Sequence, residues 1–209
     1  MQVHRTFLND VLFALYAAES LGWPDLNRTN FQKILFFCAA LAPSAKIEWG
    51  YRFTNAAYGP FNKDIHQATD VLVPYGFVEV TDLTLQKDSK LRARYRITPR
   101  GMREVDRICR LERERERLEW IALVMKVLDI YGPKMVTKLA YKEPTFSQVR
   151  EQNQRVIDLS FDDNRSIELL QELSVELDKE YSIQLDTLVS QLIVYFDFLS
   201  SDIGQGIGE

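Results

Sequence analysis

Three arginines alternate along one short stretch, Leu91-Arg92-Ala93-Arg94-Tyr95-Arg96-Ile97. In an extended strand successive side chains point to opposite faces, so Arg92, Arg94 and Arg96 form a cationic row opposite Leu91, Ala93, Tyr95 and Ile97. Lys87 and Lys90 precede the row in the polar loop LQKDSK. Such a row suits contact with a nucleic-acid backbone, because neutralising phosphates releases their condensed counterions. The blander readings are a solvated strand face, paired with Glu79 across a hairpin, or docking to an acidic protein surface. Upstream, Asn62, Lys63, His66 and Gln67 occupy the polar side of a short helix. Their side chains could reach base edges, Asn and Gln being suited to adenine. Asp64 and Asp70 flank them and would repel phosphates.

Other chemistry finds little footing. His4, Cys38, His66 and Cys109 are the two histidines and two cysteines of the chain, and none of their separations matches a zinc-ligand knuckle. Cys109 lies among Arg107, Arg110 and Arg113, which could lower its thiol pKa. No His or Asp stands beside it in sequence to make a nucleophile, so a structural cysteine is expected. There is no Gly-rich phosphate loop, nucleophile elbow or His-Glu-x-x-His motif, and no buried carboxylate pair can be picked out. The expectation is a non-enzymatic protein without metal or cofactor.

The elements that must position these residues can be read from periodicity. A first helix runs from about Thr6 to Ser20, with Phe7, Val11, Leu15 and Ala18 at helical spacing. Thr29 and Gln32 have the spacing of a capping box for a second helix, FQKILFFCAAL, apolar nearly all round and so buried. Ile47 to Phe53 has strand composition, with a bend at Gly50. Pro60 after Tyr58-Gly59 suits a first helical turn. The helix that follows carries Ile65, Ala68, Leu72 and Val73 on one face and stops before Pro74. Strand FVEVT, the loop LQKDSK and strand LRARYRI then form a hairpin. Thr98 caps the next helix, with Pro99 as its first residue.

From Pro99 the pattern predicts a long helix whose segment RLERERERLEW is laced with i,i+4 ion pairs and crosses solvent between two bodies. Past Leu118 the chain turns apolar. A second Tyr-Gly-Pro, Tyr131-Gly132-Pro133, ends one helix and starts another. Further helices follow from about Phe146, from Asn164 as cap, and from about Ile183 to Ser200. The fold class expected is mainly α (α+β), a winged helix-turn-helix with a β-hairpin wing followed by a helical bundle. The expected limits are 1–103 for the winged helix, 104–118 for a charged linker helix, 119–203 for the helical domain and 204–209 for a flexible tail.

The motifs FQKILFF, YGPF, DVLVPYGFVEV and YRITPRG together resemble those of the YwgA-type bacterial winged-helix proteins. They resemble more loosely phage-associated antitoxins with a Panacea (SocA-like) domain. The similarity covers about residues 28–101. It implies the winged-helix architecture, and an association with mobile elements or phage defence in which several members act by contacting another protein.

Charge is distributed unevenly. The 209 residues carry a net charge of −4. From Lys87 to Arg110 nine Lys/Arg face three acids, a net of +6, whereas from Glu151 to Glu209 three Lys/Arg face thirteen acids, a net of −10. The basic wing makes DNA the expected partner, through Lys87, Lys90, Arg92, Arg94 and Arg96 on phosphates. The acidic C-terminal helices offer a surface to a basic protein partner. Helices appended to a winged helix are also where a homodimer would form. Two isolated thiols, the absence of a leader-like N-terminus and a late apolar segment broken by Asp186, Gln191 and Asp197 point to a cytoplasmic protein with no membrane span.

Overall fold

The structure, a computed structural model, describes residues 4–85, 91–159, 164–181 and 187–204. Helix α1 (Arg5–Ser20) is capped by the His4 ring, which accepts from the Thr6 amide at 3.4 Å. Helix α2 (Arg28–Leu41) is buried from Phe31 to Leu41, as its nearly continuous apolar composition requires. Its capping box is not Thr29 with Gln32. Asn27 and Asn30 exchange bonds between side chain and backbone at 2.9 and 3.0 Å, starting the helix one residue before Thr29. Gln32 is left free to bind elsewhere.

A short 3-10 turn (Ala42–Ala45) leads to a segment that is not a strand until Phe53. Strand β1 (Phe53–Ala56) then turns through Tyr58-Gly59 into β2 (Gly59–Phe61). Pro60 therefore sits in a strand, opposite Asn55, and not in the first turn of a helix. Helix α3 (Lys63–Leu72) starts at Asn62 as its cap and stops with Val73 just before Pro74, where α geometry becomes unfavourable. Strands β3 (Val78–Leu85) and β4 (Leu91–Ile97) pair antiparallel. Leu85 thus belongs to the strand; the expected wing tip, with Lys87 and Lys90, lies outside the described residues.

Helix α4 (Pro99–Ile108) opens as expected, Thr98 Oγ accepting from the Gly101 amide at 3.0 Å. It does not continue as a linker. The chain turns at Cys109–Leu111 and starts α5 (Glu112–Asp129). The physical reason lies at Arg117, where the solvent-bridging expectation fails. Its guanidinium is buried against Asp10 of α1, Nε to Oδ1 at 2.5 Å and Nη2 to Oδ2 at 2.7 Å. The Glu48 and Trp49 carbonyls and the Trp49 ring face complete its shell, and Tyr51 donates to Asp10 at 2.9 Å. Helix α5 is thereby clamped to α1 instead of crossing solvent.

The second Tyr-Gly-Pro also behaves differently from expectation. Helix α5 ends at Asp129, Gly132 takes a left-handed φ of 78°, and α6 (Val136–Lys142) begins three residues beyond Pro133. Helix α7 (Pro144–Glu151) follows, then β5 (Val156–Ile157), α8 (Arg165–Tyr181) and α9 (Leu188–Gly204). Strand β5 pairs with β1, so one small sheet, β2-β1-β5, joins both halves of the chain. Buried apolar residues form one cluster from Phe7 to Leu199, with Phe37 of α2 against Phe196 of α9 at 5.1 Å. The expected tail at 205–209 lies outside the described residues. Among the described residues, no helix is long and apolar enough to cross a membrane.

Candidate functional site

The α3 segment with its cap Asn62 and the β3–β4 hairpin carry the seven predicted contact residues that are described, and Arg28 links the two elements. This first residue of α2 reaches α3 and β4 at once. Its Nε donates to Thr69 Oγ1 and to the Tyr95 hydroxyl, both at 3.0 Å, and its Nη2 pairs with Asp70. Its Nη1 lies 3.3 Å from His66 Nε2. His66 is half-buried and its ring packs on Phe61 at 5.6 Å. Burial and the adjacent Arg28 charge push its pKa down, against the pull of Asp70. The imidazole is therefore held neutral at pH 7 and adds no charge for phosphates.

Asn62 is committed to the fold. Its Oδ1 accepts from the amides of Asp64 at 2.9 Å and Ile65 at 3.2 Å, and its Nδ2 donates to the Arg52 carbonyl at 2.8 Å. Lys63 is exposed and Gln67 half-buried, so these two remain the accessible polar residues of the four named on this helix.

On the hairpin the register sets Arg92 opposite Thr84, Arg94 opposite Asp82 and Arg96 opposite Glu79. The alternation expected of LRARYRI is present: Tyr95 and Ile97 are buried while Arg92, Arg94 and Arg96 are exposed. Two of the three arginines have carboxylate partners. Arg96 Nε donates to Asp25 Oδ1 at 2.9 Å; Arg94 donates to the Asp25 carbonyl at 3.0 Å and lies 3.9 Å from Asp82. Burial works against ionisation of Asp25, but bonds from Thr81 and Arg96 overcome it and lower its pKa, so the neutralising charge persists at ordinary pH. Arg92 has no such partner among the described residues. Among the described residues, α3, the hairpin and their neighbours Asp25 and Arg28 carry five cations (Lys63, Arg28, Arg92, Arg94 and Arg96) and five carboxylates (Asp64, Asp70, Asp25, Glu79 and Asp82).

The opposite face of the hairpin is apolar, and it outruns the core. Val78, Tyr95 and Ile97 are buried at its base. Further out, the bulge between Val80 and Asp82 keeps Leu83 and Leu85 on the same face, opposite Ala93 and Leu91. Leu83 is 60% exposed and Leu85 68%. The outer edge of β3 pairs with no strand among the described residues, leaving its backbone donors and acceptors available. Sequence reading missed both leucines by ending the strand at FVEVT. The signal was the alternation Val78, Val80, Leu83, Leu85, which a one-residue bulge interrupts.

The two motifs FQKI and YGPF prove to be one contact. Gln32 and Asn62 exchange a pair of bonds, side-chain amide to backbone amide, each 2.7 Å. Lys33, 2% exposed, sends its ammonium into the hairpin turn, donating to the carbonyls of Tyr58 at 2.5 Å and Pro60 at 3.2 Å, with the Tyr141 ring 5.8 Å away. Burial pushes its pKa down to about 8. Gly59 is required between those carbonyls: its φ is 94°, and a Cβ there would run into the ammonium. Tyr58-Gly59-Pro60 is thus a cap on a buried lysine.

Cys38 is buried and Cys109 half-buried. The arginines near Cys109 do not activate it. Burial raises its pKa, with Glu114, Asp106 and Glu119 adding to the effect. No group of three or more His, Cys, Asp or Glu among the described residues could hold a metal ion. No family model matches the chain, and neither does any curated protein.

Proposed function

We propose that the chain is a non-catalytic protein-interaction module, of the adaptor or antitoxin-like kind, whose β3–β4 hairpin takes an extended segment of a protein partner along the free edge of β3. The observation that carries this reading is the pair Leu83 and Leu85, exposed beside an unpaired strand edge. Strand addition uses such an edge for main-chain hydrogen bonds and alternate apolar side chains for specificity. The architecture proposed with it is a winged helix in which α3 takes the recognition-helix place and β3–β4 the wing, with the β1–β2 hairpin inserted between α2 and α3. The resemblance of residues 28–101 to winged-helix and Panacea-type proteins, some of which contact other proteins, agrees with it, and a cytoplasmic location is part of the same proposal.

DNA binding is the second reading. Exposed Arg92 and Lys63 favour it, as do the lysines of the wing tip in the sequence. Against it stand the occupied Asn62 and His66 and the carboxylates beside Arg94 and Arg96.

One experiment separates the two. The full chain is purified at native expression, its stoichiometric partner is identified and re-expressed, and the pair is assayed for binding. The protein reading expects Leu83→Lys/Leu85→Lys to weaken that complex at least tenfold, while Arg92→Glu/Arg94→Glu/Arg96→Glu leaves it within threefold. A partner-free chain that shifts duplex DNA at low salt, through the arginines and not the leucines, overturns it.

A further inference from the structure

Helices α8 and α9 each carry a buried apolar stripe and a second, outer one, which meets the core at Leu169 and leaves Leu173, Leu177, Val194 and Phe198 outside it. On α8, Ile167 and Leu170 are buried, whereas Leu169, Leu173 and Leu177 recur at i,i+4 on a second, half-buried stripe. On α9, Leu192, Tyr195, Phe196 and Leu199 are buried, whereas Val194 and Phe198 lie on the second stripe, Phe198 being 43% exposed. The two outer stripes share a groove of about 480 Å³ between the helices, lined by Leu173, Leu177, Val194 and Phe198 with Glu176, Asp197 and Ser201. A second depression of about 400 Å³ lies on the other side of Phe198 and adds Leu169, Glu168, Glu172 and Glu151.

The rim is acidic. Among the described side chains of α8 and α9 the charges are Glu168, Glu172, Glu176 and Asp197 against Arg165, and Arg165 is already paired with Glu168 at 2.5 Å. Asp197 accepts from Tyr131 at 2.8 Å. Glu172 and Glu176 have no ion-pair partner among the described residues. The groove and the second depression together run along the nine residues from Leu169 to Leu177, whose eight steps span roughly 12 Å at about 1.5 Å each, which matches two turns of another helix laid against them.

We infer that this groove docks a basic amphipathic helix of a partner protein, its apolar residues at i, i+3/i+4 and i+7 seated around Phe198 and its Lys/Arg meeting Glu172, Glu176 and Asp197. Helix-in-groove recognition needs an apolar floor for affinity and complementary rim charges for orientation, and both are present here. The inference rests on reading the chain as a protein-interaction module, but it concerns a different surface from the hairpin.

The test uses the full chain and a fluorescein-labelled 18-residue Leu/Lys amphipathic peptide, read by fluorescence anisotropy. A peptide of the same composition with scrambled order is the control. The amphipathic peptide binds at least tenfold more tightly than the scrambled one. Phe198→Glu weakens it at least tenfold even though it adds a negative charge, and Glu172→Lys/Glu176→Lys does the same. Thermal melts and circular dichroism verify that each variant is folded, and Leu83→Lys/Leu85→Lys is without effect, so failure here is distinguishable from failure of the hairpin reading. Equal binding of both peptides, or unchanged or tighter binding to folded Phe198→Glu, overturns the inference. So does a homodimer in the ultracentrifuge that Phe198→Glu converts to monomer, since the groove would then belong to a second copy.

Discussion

Lys33 makes the pH dependence of stability a direct test of the contact between FQKI and YGPF. Its ammonium is buried with two carbonyl acceptors and, among the described residues, no carboxylate partner, and burial lowers its pKa from 10.5 to about 8. In the unfolded chain the lysine stays protonated up to its ordinary pKa, so between about pH 8 and 10.5 the unfolded state binds more protons than the folded one. Stability from this group therefore rises with pH across that window. Below it the charged form burdens the fold by roughly 3 kcal/mol, at about 1.4 kcal/mol for each pH unit of displacement. Between pH 7 and 9.5 the linkage relation gives a gain of about 2 kcal/mol. The assay is urea denaturation of the native chain and of Lys33→Met at a series of pH values, taking the difference to cancel the other titrating groups. With a slope of about 2–3 kcal/mol per molar urea, the difference between the two midpoints moves by roughly 0.7–1 M in favour of the native chain. Two curves that stay parallel from pH 7 to 9.5 refute the reasoning, because the lysine would then be solvated or paired in a way its geometry denies.

Three further outcomes are expected. Arg117→Met alone costs about 3–5 kcal/mol in urea denaturation, because it strands the Asp10 carboxylate in the core, whereas Asp10→Leu/Arg117→Met recovers most of that loss. Gly59→Ala costs roughly 2–4 kcal/mol by the same measurement, combining a left-handed φ with a collision against Lys33; in Lys33→Met the added cost shrinks because the thioether end can give way. Asp25→Asn removes the carboxylate paired with Arg96 while leaving the backbone carbonyl that holds Arg94, so a salt-titrated gel shift shows tighter non-specific binding to duplex DNA and a logarithmic salt slope steeper by about 1 than the native chain's.

Local chemistry was legible where one residue type decides the outcome. Pro74 ends α3, Thr98 and Pro99 open α4, and the alternation of LRARYRI puts its arginines outward. Contacts remote in sequence were not. Nothing near Arg117 in the chain announces Asp10, 107 residues away, so a run of alternating charges read as a solvated linker. Asp25 stands 71 residues before Arg96, and its neutralising effect could not be inferred from the arginine row itself. Pro60 and Pro133 both read as helix starts because proline suits that position, but the same fixed φ also suits an edge strand or a turn, and tertiary pairing decided. The leucines of the hairpin were hidden by a bulge, which breaks the period that reveals a strand.

The balance of five cations and five carboxylates on the α3–hairpin face bears on which partner the chain selects. An exposed ion pair is worth at most about 1 kcal/mol, so a phosphate could displace Asp25 from Arg96 at little cost in pair energy. The carboxylate would nevertheless remain beside the site and repel the phosphate. What matters for a polyanion is the summed charge within a screening length of roughly 10 Å, and over the described residues named above that sum is near zero. Affinity drawn from counterion release scales with the number of phosphates neutralised, so the expected outcome for duplex DNA on the described part of this face is a shallow salt dependence, which the salt-titrated gel shift checks. Burial of Leu83 and Leu85 requires no net charge. At about 25 cal/mol per Å² its gain depends on apolar area alone and is indifferent to moderate salt. On the protein-interaction reading, the same carboxylates would weaken non-specific attraction to nucleic acid and leave partner choice to the apolar side.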